Sequence, residues 1–238
     1  MLNRQTLDFL KIIGRFTDVT ILRYPVTCGI SEDKDIVYSV DLSKFDTDGF
    51  DTVLGIHKLN SFLNMFNMFD NDYELEVSDK SITAKDSRTS VRYLLAVPEA
   101  IASYDAKPEQ FDLTASVFPS VLEFELTADT IKKLKAGASS FNELNTVLIE
   151  GGDTPNISLV QTESREGMSS NLIKINIDEE ANKNFKTGIN IITLGRLPLG
   201  DYTVKVKYNE TKDTYRLLLE SKDIEGFRII LPVLAKKF

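Results

Sequence analysis

Residues 53–77, VLGIHKLNSFLNMFNMFDNDYELEV, predict a helix that runs directly into a strand. Apolar side chains recur at spacings of three and four, the period of one helix face: Leu59, Phe62, Leu63, Phe66 and Phe69. After a break at residues 71–72, Tyr73, Leu75 and Val77 alternate with glutamates, which is the period of a half-buried strand. The stretch is therefore a helix-to-strand joint.

The same joint returns near the other end of the chain, in residues 189–206, INIITLGRLPLGDYTVKV. There a short apolar stretch is broken at Pro198 and Gly200 and continues as an alternating strand, whose residues 201–206 align with residues 72–77. A joint that occurs twice indicates two copies of one domain. The 238 residues are enough for two modest domains, each with its own core.

Hydrophobic periodicity predicts the same order of elements in both halves. In the first half we expect a helix at 3–18 followed by strands at 19–30, 35–43 and 49–56. A second helix at 57–69 is followed by strands at 72–78, 80–86 and 88–96. In the second half we expect a leading strand at 113–126. The expected helix at 127–141 is followed by strands at 145–150, 156–163 and 171–178, and the expected helix at 189–197 by strands at 201–208, 213–221 and 226–234. Thr127 is the expected N-cap of the third helix, and residues 164–170 are an expected loop.

The predicted fold class is α+β, with two similar domains that each pack two helices on antiparallel sheets. The turns that join the strands between residues 72 and 96 are too short for crossovers, so these strands form an antiparallel meander. Residues 1–97 form the first predicted domain and residues 113–238 the second. Residues 98–112 contain two prolines and few periodic apolar side chains, and we interpret them as the connector.

Few residues suggest catalysis or metal binding. We interpret His57, the one histidine, as a surface or capping residue, and Cys28, the one cysteine, as a small, partly buried apolar residue. The run DTDGFD at 46–51 has its glycine in the wrong position for a calcium loop and lacks the final glutamate, so it predicts a turn. We therefore expect no metal site, no cofactor and no enzymatic activity.

The apolar runs are too short for a membrane span, which needs about 18–20 residues, and none resembles a signal peptide. A single cysteine also fits a reducing compartment. We expect a soluble protein without a membrane partner, located in the cytoplasm, or in the host cell cytoplasm if the protein is viral.

The net charge of −8 is divided unevenly between the predicted helices and the rest of the chain. The four helices contain eight basic and three acidic residues, a sum of +5, so the remainder carries −13. Lysine favours helix surfaces in general, but glutamate favours helices equally and is scarce in these four. If the helices lie on one side of the sheets, that side is positive and the rest of the protein is strongly negative.

The duplicated plan of two helices on antiparallel sheets resembles the DNA polymerase sliding clamps, the family of the eukaryotic proliferating-cell clamp and the bacterial β clamp. Within this family the chain is most similar to the processivity clamp of T-even-type bacteriophages. Three segments carry the resemblance: VYSVDLSKFDTDGFDTVLGIHKLNSFLNMFNMFDNDYELEV (37–77), ITAKDSR (82–88) and LPLGDYTVKV (197–206). The order of elements extends the resemblance to nearly the whole chain.

The resemblance implies a function that the residues alone do not give. Clamps of this family encircle double-stranded DNA without reading its sequence and tether the replicative DNA polymerase, which makes synthesis processive. An ATP-driven clamp loader places the ring on DNA, and the clamp itself performs no chemistry. A ring of six domains needs three two-domain chains, so the resemblance implies a homotrimer whose neighbouring chains pair through edge strands.

The resemblance also implies roles for particular residues. Helices line the central hole, so the expected DNA-binding residues are basic ones on or near the helices: Lys11, Arg15, Lys132, Lys133, Lys135 and Arg196. Partner peptides dock in an apolar pocket near the connector and the C-terminal strand, where the candidates are Phe111, Leu231, Pro232, Val233 and Leu234. Ordinary core or edge packing explains these five apolar residues equally well.

Two other classes of protein fit the sequence. A monomeric, sequence-independent nucleic-acid-binding protein would bind linear DNA tightly and with strong salt dependence, whereas an unloaded clamp would bind it poorly. A small-molecule enzyme with dispersed carboxylates would show a metal requirement or a titrating site. The mass in solution separates a ring from both alternatives.

Overall fold

The computed structural model describes residues 4–45, 53–70, 73–151, 156–162, 171–180 and 185–233. Contacts within the chain divide it into two units, Met1–Phe111 and Asp112–Phe238. Some sequence predictions lie outside the described residues: the turn at 46–51, the break at 71–72, the loop at 164–170 and the partner-binding residue Leu234. The division assigns most of the predicted connector to the first unit, and the domain limits at 97 and 112 stay a prediction.

The first unit is built from helices and antiparallel strands. Its helices are α1 (Arg4–Ile13), α2 (Leu59–Phe66) and α3 (Pro108–Asp112), whose last residue is the first of the second unit. Its strands are β1 (Thr20–Leu22), β2 (Val26–Ile30), β3 (Val37–Asp41), β4 (Leu54–Ile56), β5 (Glu74–Val77), β6 (Ser81–Lys85) and β7 (Ser90–Leu94). Strand β1 pairs with β4 and β2 with β3, and β5, β6 and β7 form the predicted meander.

The second unit contains two longer antiparallel arrangements. Its helices are α4 (Ala128–Ser140) and α5 (Ile191–Gly195). Its strands are β8 (Ser120–Leu126), β9 (Thr146–Gly151), β10 (Asn156–Thr162), β11 (Ile173–Glu180), β12 (Phe185–Asn190), β13 (Tyr202–Asn209), β14 (Thr214–Ser221) and β15 (Phe227–Pro232). One sheet has the order β11-β10-β9-β12, and β8, β13, β14 and β15 are neighbours in that order in another.

Each unit therefore runs helix, four strands, helix, three strands, with β8 added in front of the second. The repeat is more regular than predicted, because the expected strand at 19–30 is two strands and β12 was missed at 185–190. The first helix ends at Ile13 rather than at residue 18, directly before Gly14, which has a low helix propensity. Residues 113–117 form a π-helical turn instead of a strand, and β8 begins only after Pro119, which has no amide to donate.

Short helices occupy the region between β7 and β8. A 3₁₀ segment, Pro98–Tyr104, precedes α3, and the side chains of Ile101 and Phe111 are buried. The guanidinium of Arg23 holds this region by two hydrogen bonds to the carboxylate of Asp105, at 2.6 and 2.8 Å. Residues 98–111 are thus packed on the first unit, although their sequence lacks a strong apolar period.

The apolar helix faces lie in the cores of the two units. In the first unit, the five residues that predicted α2 are buried, and the ring of Phe62 lies 5.1 Å from that of Tyr93 on β7. In the second unit, one small apolar cavity is lined from both sheets and both helices, by side chains that include Leu126, Leu134, Leu159, Leu194 and Leu219. The two sheets and two helices of this unit therefore share one core, and the predicted α+β class is confirmed.

A close backbone contact in the first unit gives a test of this packing. The amide of Ala96 donates to the carbonyl of Gly55 on β4 at 2.8 Å, and a Cβ at Gly55 would lie 2.3 Å from the Ala96 oxygen. Because that neighbour is backbone, we expect Gly55→Ala to lower the free energy of unfolding by about 1–3 kcal/mol in urea titration.

Gly195→Ala is the matched control, because a Cβ at Gly195 would meet nothing within 4 Å. We expect this variant, at the end of α5, to be as stable as the wild type or more stable by up to about 1 kcal/mol. Equal stabilities of the two variants would contradict the close contact at Gly55.

Candidate nucleic-acid interface

Helix α1 buries one side and exposes the other. Leu10 and Ile13 are fully buried, whereas Asp8, Lys11 and Arg15 are exposed. Arg15 lies beyond the last residue of α1, but its amide donates to the carbonyl of Ile12 at 3.1 Å, so the chain continues one more helical turn. Lys11 and Arg15, four residues apart, therefore share the exposed side as the sequence predicted.

Helix α2 packs beside α1 and exposes an uncharged polar side. Asn60, Ser61, Asn64 and Asn67 are exposed there, and the basic residue nearest to them in sequence is Lys58 at the N-cap position. The Lys58 side chain caps no amide. Instead, the Asn60 amide donates to Oδ1 of Asp18 at 2.9 Å.

Helix α4 is the basic helix of the second unit. Ile131 and Leu134 are buried, Lys132 and Lys133 are exposed, and Lys135 is half-buried. Thr127 is the N-cap, as predicted, since its Oγ1 accepts the amide of Thr130 at 3.2 Å. Lys132 and Lys133 therefore lie on the solvent side of the helix.

An aspartate from a distant part of the chain, directly before β13, caps the start of α4. Oδ1 of Asp201 accepts the amide of Ala128 at 2.7 Å, and the Asp201 amide itself donates to the carboxylate of Asp223 at 3.0 Å. Sequence reasoning missed Asp201 and Asp18 as capping residues. In both cases the capped amide lies far along the chain, beyond the reach of local capping patterns.

The predicted DNA-binding residues differ in whether their side chains form hydrogen bonds or ion pairs with the rest of the protein. Nζ of Lys11 lies 2.7 Å from Asp8, and Nζ of Lys133 lies 2.7 Å from Asp129. The Lys133 hydrogen bond lowers the pKa of Asp129 below its ordinary value. In contrast, the side chains of Arg15 and Lys132 form no hydrogen bond or ion pair with any residue that the structure describes.

The remaining two predicted cations lie where α4 and α5 pack together. Nζ of Lys135 donates to the carbonyl of Leu197 at 3.3 Å, so this side chain joins α4 to the segment after α5. Arg196 is half-buried at the C-cap position of α5. These two side chains are thus partly structural. The exposed basic set on α1 and α4 consists of Lys11, Lys132 and Lys133 on the helices and Arg15 in the turn that continues α1.

The predicted partner-binding residues fall in different environments. Phe111, at the end of the first unit, and Leu231, on β15 of the second, are both buried. Pro232 is exposed and Val233 is half-buried. Their role in binding a partner stays a prediction.

His57 and Cys28 are the two residues that the sequence analysis considered for catalysis or metal binding. His57 is exposed, with Nδ1 3.4 Å from the hydroxyl of Tyr93, and that hydroxyl also accepts the amide of Lys58 at 3.1 Å. Cys28 is buried more completely than expected. Within the described ranges, no group of three or more His, Cys, Asp or Glu residues is placed to hold a metal ion. No helix in those ranges is both long and apolar enough to cross a membrane.

Solved structures of other proteins share the fold of this chain. No protein-family model and no curated protein matches the sequence. Among solved structures, A. fulgidus PCNA bound to the C-terminal region of FEN-1 matches at 12% identity and a TM-score of 0.64, covering 98% of this chain and 96% of that one. The beta subunit of DNA polymerase III from Borrelia burgdorferi, in complex with a natural product, matches at 11% identity and a TM-score of 0.67.

The Helicobacter pylori beta clamp bound to a DNA ligase peptide matches at 14% identity and a TM-score of 0.63. Both bacterial matches cover 98% of this chain, which spans 64% of the Borrelia protein and 65% of the Helicobacter protein. The chain therefore has the sliding-clamp fold, as the sequence predicted. Identities this low establish the fold alone.

The cap at Asp201 gives a prediction for the basic helix of the second unit. We expect Asp201→Ala to lower the free energy of unfolding by about 0.5–2 kcal/mol, because the Ala128 amide loses its acceptor. Asp201→Asn keeps an acceptor oxygen and should retain most of the stability. The measurement is chemical denaturation followed by far-UV circular dichroism, and an equal loss in the two variants would show that the cap is not the cause.

Proposed function

We propose that this protein is a sliding clamp, which encircles double-stranded DNA and tethers the replicative DNA polymerase for processive synthesis. The observation that carries the proposal is the exposed basic set on α1 and α4. These are the equivalent helices of two similar units, in a chain with the sliding-clamp fold. The clamp acts as a scaffold and not as an enzyme.

The charges explain how such a protein would hold DNA without reading it. Lys11, Arg15, Lys132, Lys133, Lys135 and Arg196 are the proposed DNA-binding residues, of which the exposed four carry most of the attraction. Lysine and arginine contacts to phosphates position a protein on a duplex and carry no base information. The strongly acidic remainder of the chain would discourage DNA from coating the outside.

The matched structures support a peptide-binding role as well. One is a PCNA with the C-terminal region of FEN-1, and another is a beta clamp with a DNA ligase peptide. We propose that the cognate polymerase binds this chain by a short apolar segment, near Phe111 and the run from Leu231 to Leu234. A clamp loader would open the ring, and the similarity to T-even-type clamps suggests viral DNA replication in the host cell cytoplasm.

A homotrimer is the proposed assembly, since three two-domain chains complete a six-domain ring. Strand β7 is an edge of the three-stranded sheet of the first unit, and β11 is an edge of one sheet of the second. Both edges carry a large, exposed apolar side chain, Leu94 at the end of β7 and Leu172 next to β11. Pairing of such edges between neighbouring chains would cover their open backbone groups.

The assembly is tested by mass. Light scattering at micromolar concentration should give about three times the chain mass of 26.8 kDa. Leu94→Glu should lower this mass by placing a charge at the paired edge. Ile192→Glu is the control, because Ile192 is equally exposed but lies on α5, and it should leave the trimer intact. A wild-type monomer at every concentration would contradict the ring.

The DNA-binding surface is tested by removing the exposed basic set. Alanine at Lys11, Arg15, Lys132 and Lys133 should leave fold and trimer unchanged, since exposed substitutions usually alter stability by about ±0.5 kcal/mol or less. Processive synthesis on a primed circular template, with polymerase and loader, should fall sharply. The loss should be the same for any sequence and grow with salt, because the contacts are to phosphates.

The control for this test removes the same charge elsewhere. Alanine at Lys85, Lys186, Lys212 and Lys222, which lie on strands and turns, should leave processivity unchanged. Normal processivity of the helix variant would refute the assignment of α1 and α4 to DNA. Tight, salt-sensitive binding of linear DNA by a monomer would instead favour the simpler nucleic-acid-binding protein.

A further inference from the structure

Acidic residues are rare on the helices that pack in pairs in each unit, and each one is paired with a lysine of its own helix. On α1 the one acidic residue is Asp8, with its carboxylate 2.7 Å from Nζ of Lys11. On α4 it is Asp129, with its carboxylate 2.7 Å from Nζ of Lys133. Helices α2 and α5 contain no acidic residue. Among these four helices, acidic residues thus occur only on α1 and α4.

Folding stability does not explain both carboxylates. All four side chains of the two pairs are more than half exposed, and ion pairs of this kind contribute little to stability. Asp129 lies in the first turn of α4, where the helix dipole favours an acid. Asp8 has no such reason, because it lies in the middle of α1.

The two carboxylates change the charge that each helix presents. Among the described side chains of α1 and the turn after it, Lys11, Arg15 and Asp8 are the exposed charged ones. On α4, Lys132, Lys133 and Asp129 repeat that balance of two positive charges and one negative charge. The lysine hydrogen bond lowers the pKa of Asp129, so this carboxylate is ionised wherever the protein would meet DNA. Each of these exposed sets therefore has a net charge of +1, half of the +2 that its two basic residues alone would give.

We infer that Asp8 and Asp129 limit the attraction of the α1 and α4 surfaces for DNA, which keeps the protein on the duplex without fixing it at one place. The inference rests on the proposed function. A lysine that leaves its own carboxylate for a phosphate gains less than a free lysine would, and it can return to that carboxylate when the phosphate moves on. Arg15 and Lys132, which have no such partner, supply the constant attraction.

The test compares two variants with the same change in net charge. The helix variant, Asp8→Asn with Asp129→Asn, releases Lys11 and Lys133. The strand variant, Glu76→Gln with Glu150→Gln, removes one carboxylate that pairs with Lys85 on β6 and one that pairs with Lys186 on β12. Lys85 keeps a second carboxylate, that of Glu74, at 3.6 Å from its Nζ. Both variants lose two negative charges per chain, so the net charge rises by two in each, and each changes one carboxylate in each unit.

Binding of the full-length variants to a short duplex of mixed sequence is measured by fluorescence anisotropy over a range of salt concentrations. We expect the helix variant to bind several-fold more tightly at low salt. Its plot of log K against log[salt] should be steeper by up to about 1.8, from about 0.9 for each released lysine. The strand variant should bind as the wild type does, and denaturation curves confirm that both variants are folded.

Two results would overturn the inference. Unchanged binding by the helix variant would show that the carboxylates do not limit attraction. An equal gain in the strand variant would show that only the total charge matters. A third protein, Arg15→Ala with Lys132→Ala, separates this failure from failure of the proposed function. If it binds more weakly while the helix variant is unchanged, only the inference fails, and if it binds as the wild type does, the proposed surface fails as well.

Discussion

Burial of one side of each basic helix determines where the charges lie. On α1 the buried residues include Leu10 and Ile13, and on α4 Ile131 and Leu134, all fully buried. Burying such a side chain contributes roughly 1.5–3 kcal/mol, whereas an exposed ion pair contributes about 1 kcal/mol or less. The apolar side therefore sets the rotation of each helix, and the exposed basic set follows from it.

Aspartates from distant parts of the chain fix where two helices begin. The amide of Asn60 on α2 is capped by Asp18, and the amide of Ala128 on α4 is capped by Asp201. Each capping residue is itself held by a second acid, since the Asp18 amide donates to Glu32 at 2.9 Å and the Asp201 amide to Asp223 at 3.0 Å. Each of these two helices is thus fixed at its N-terminus by residues between the regular elements as well as along its buried side.

Much of this fold could be predicted from local patterns. The apolar period of α2, the meander from β5 to β7 and the Thr127 cap depend on residues close together in the chain, and all three are confirmed. Strand β12 was missed because its short apolar alternation merged with the following helix. The caps from Asp18 and Asp201 could not be predicted, because the paired groups lie 42 and 73 residues apart.

The sequence predicted which basic residues belong to the proposed DNA-binding surface. It could not predict which of them are already paired with a carboxylate or carbonyl of the protein. Sequence counts weigh Lys11, Lys132 and Lys135 equally, whereas the structure pairs the first with Asp8, leaves the second exposed and engages the third with the carbonyl of Leu197. Attraction to a polyanion depends on charge that can be released to it, so the local count overestimates the attraction. Under the proposed function the same balance of two cations and one carboxylate occurs in both units, and a ring would repeat it around the duplex. Phosphates also repeat along DNA, so several individually weak contacts suit a ligand that the protein must hold and move along.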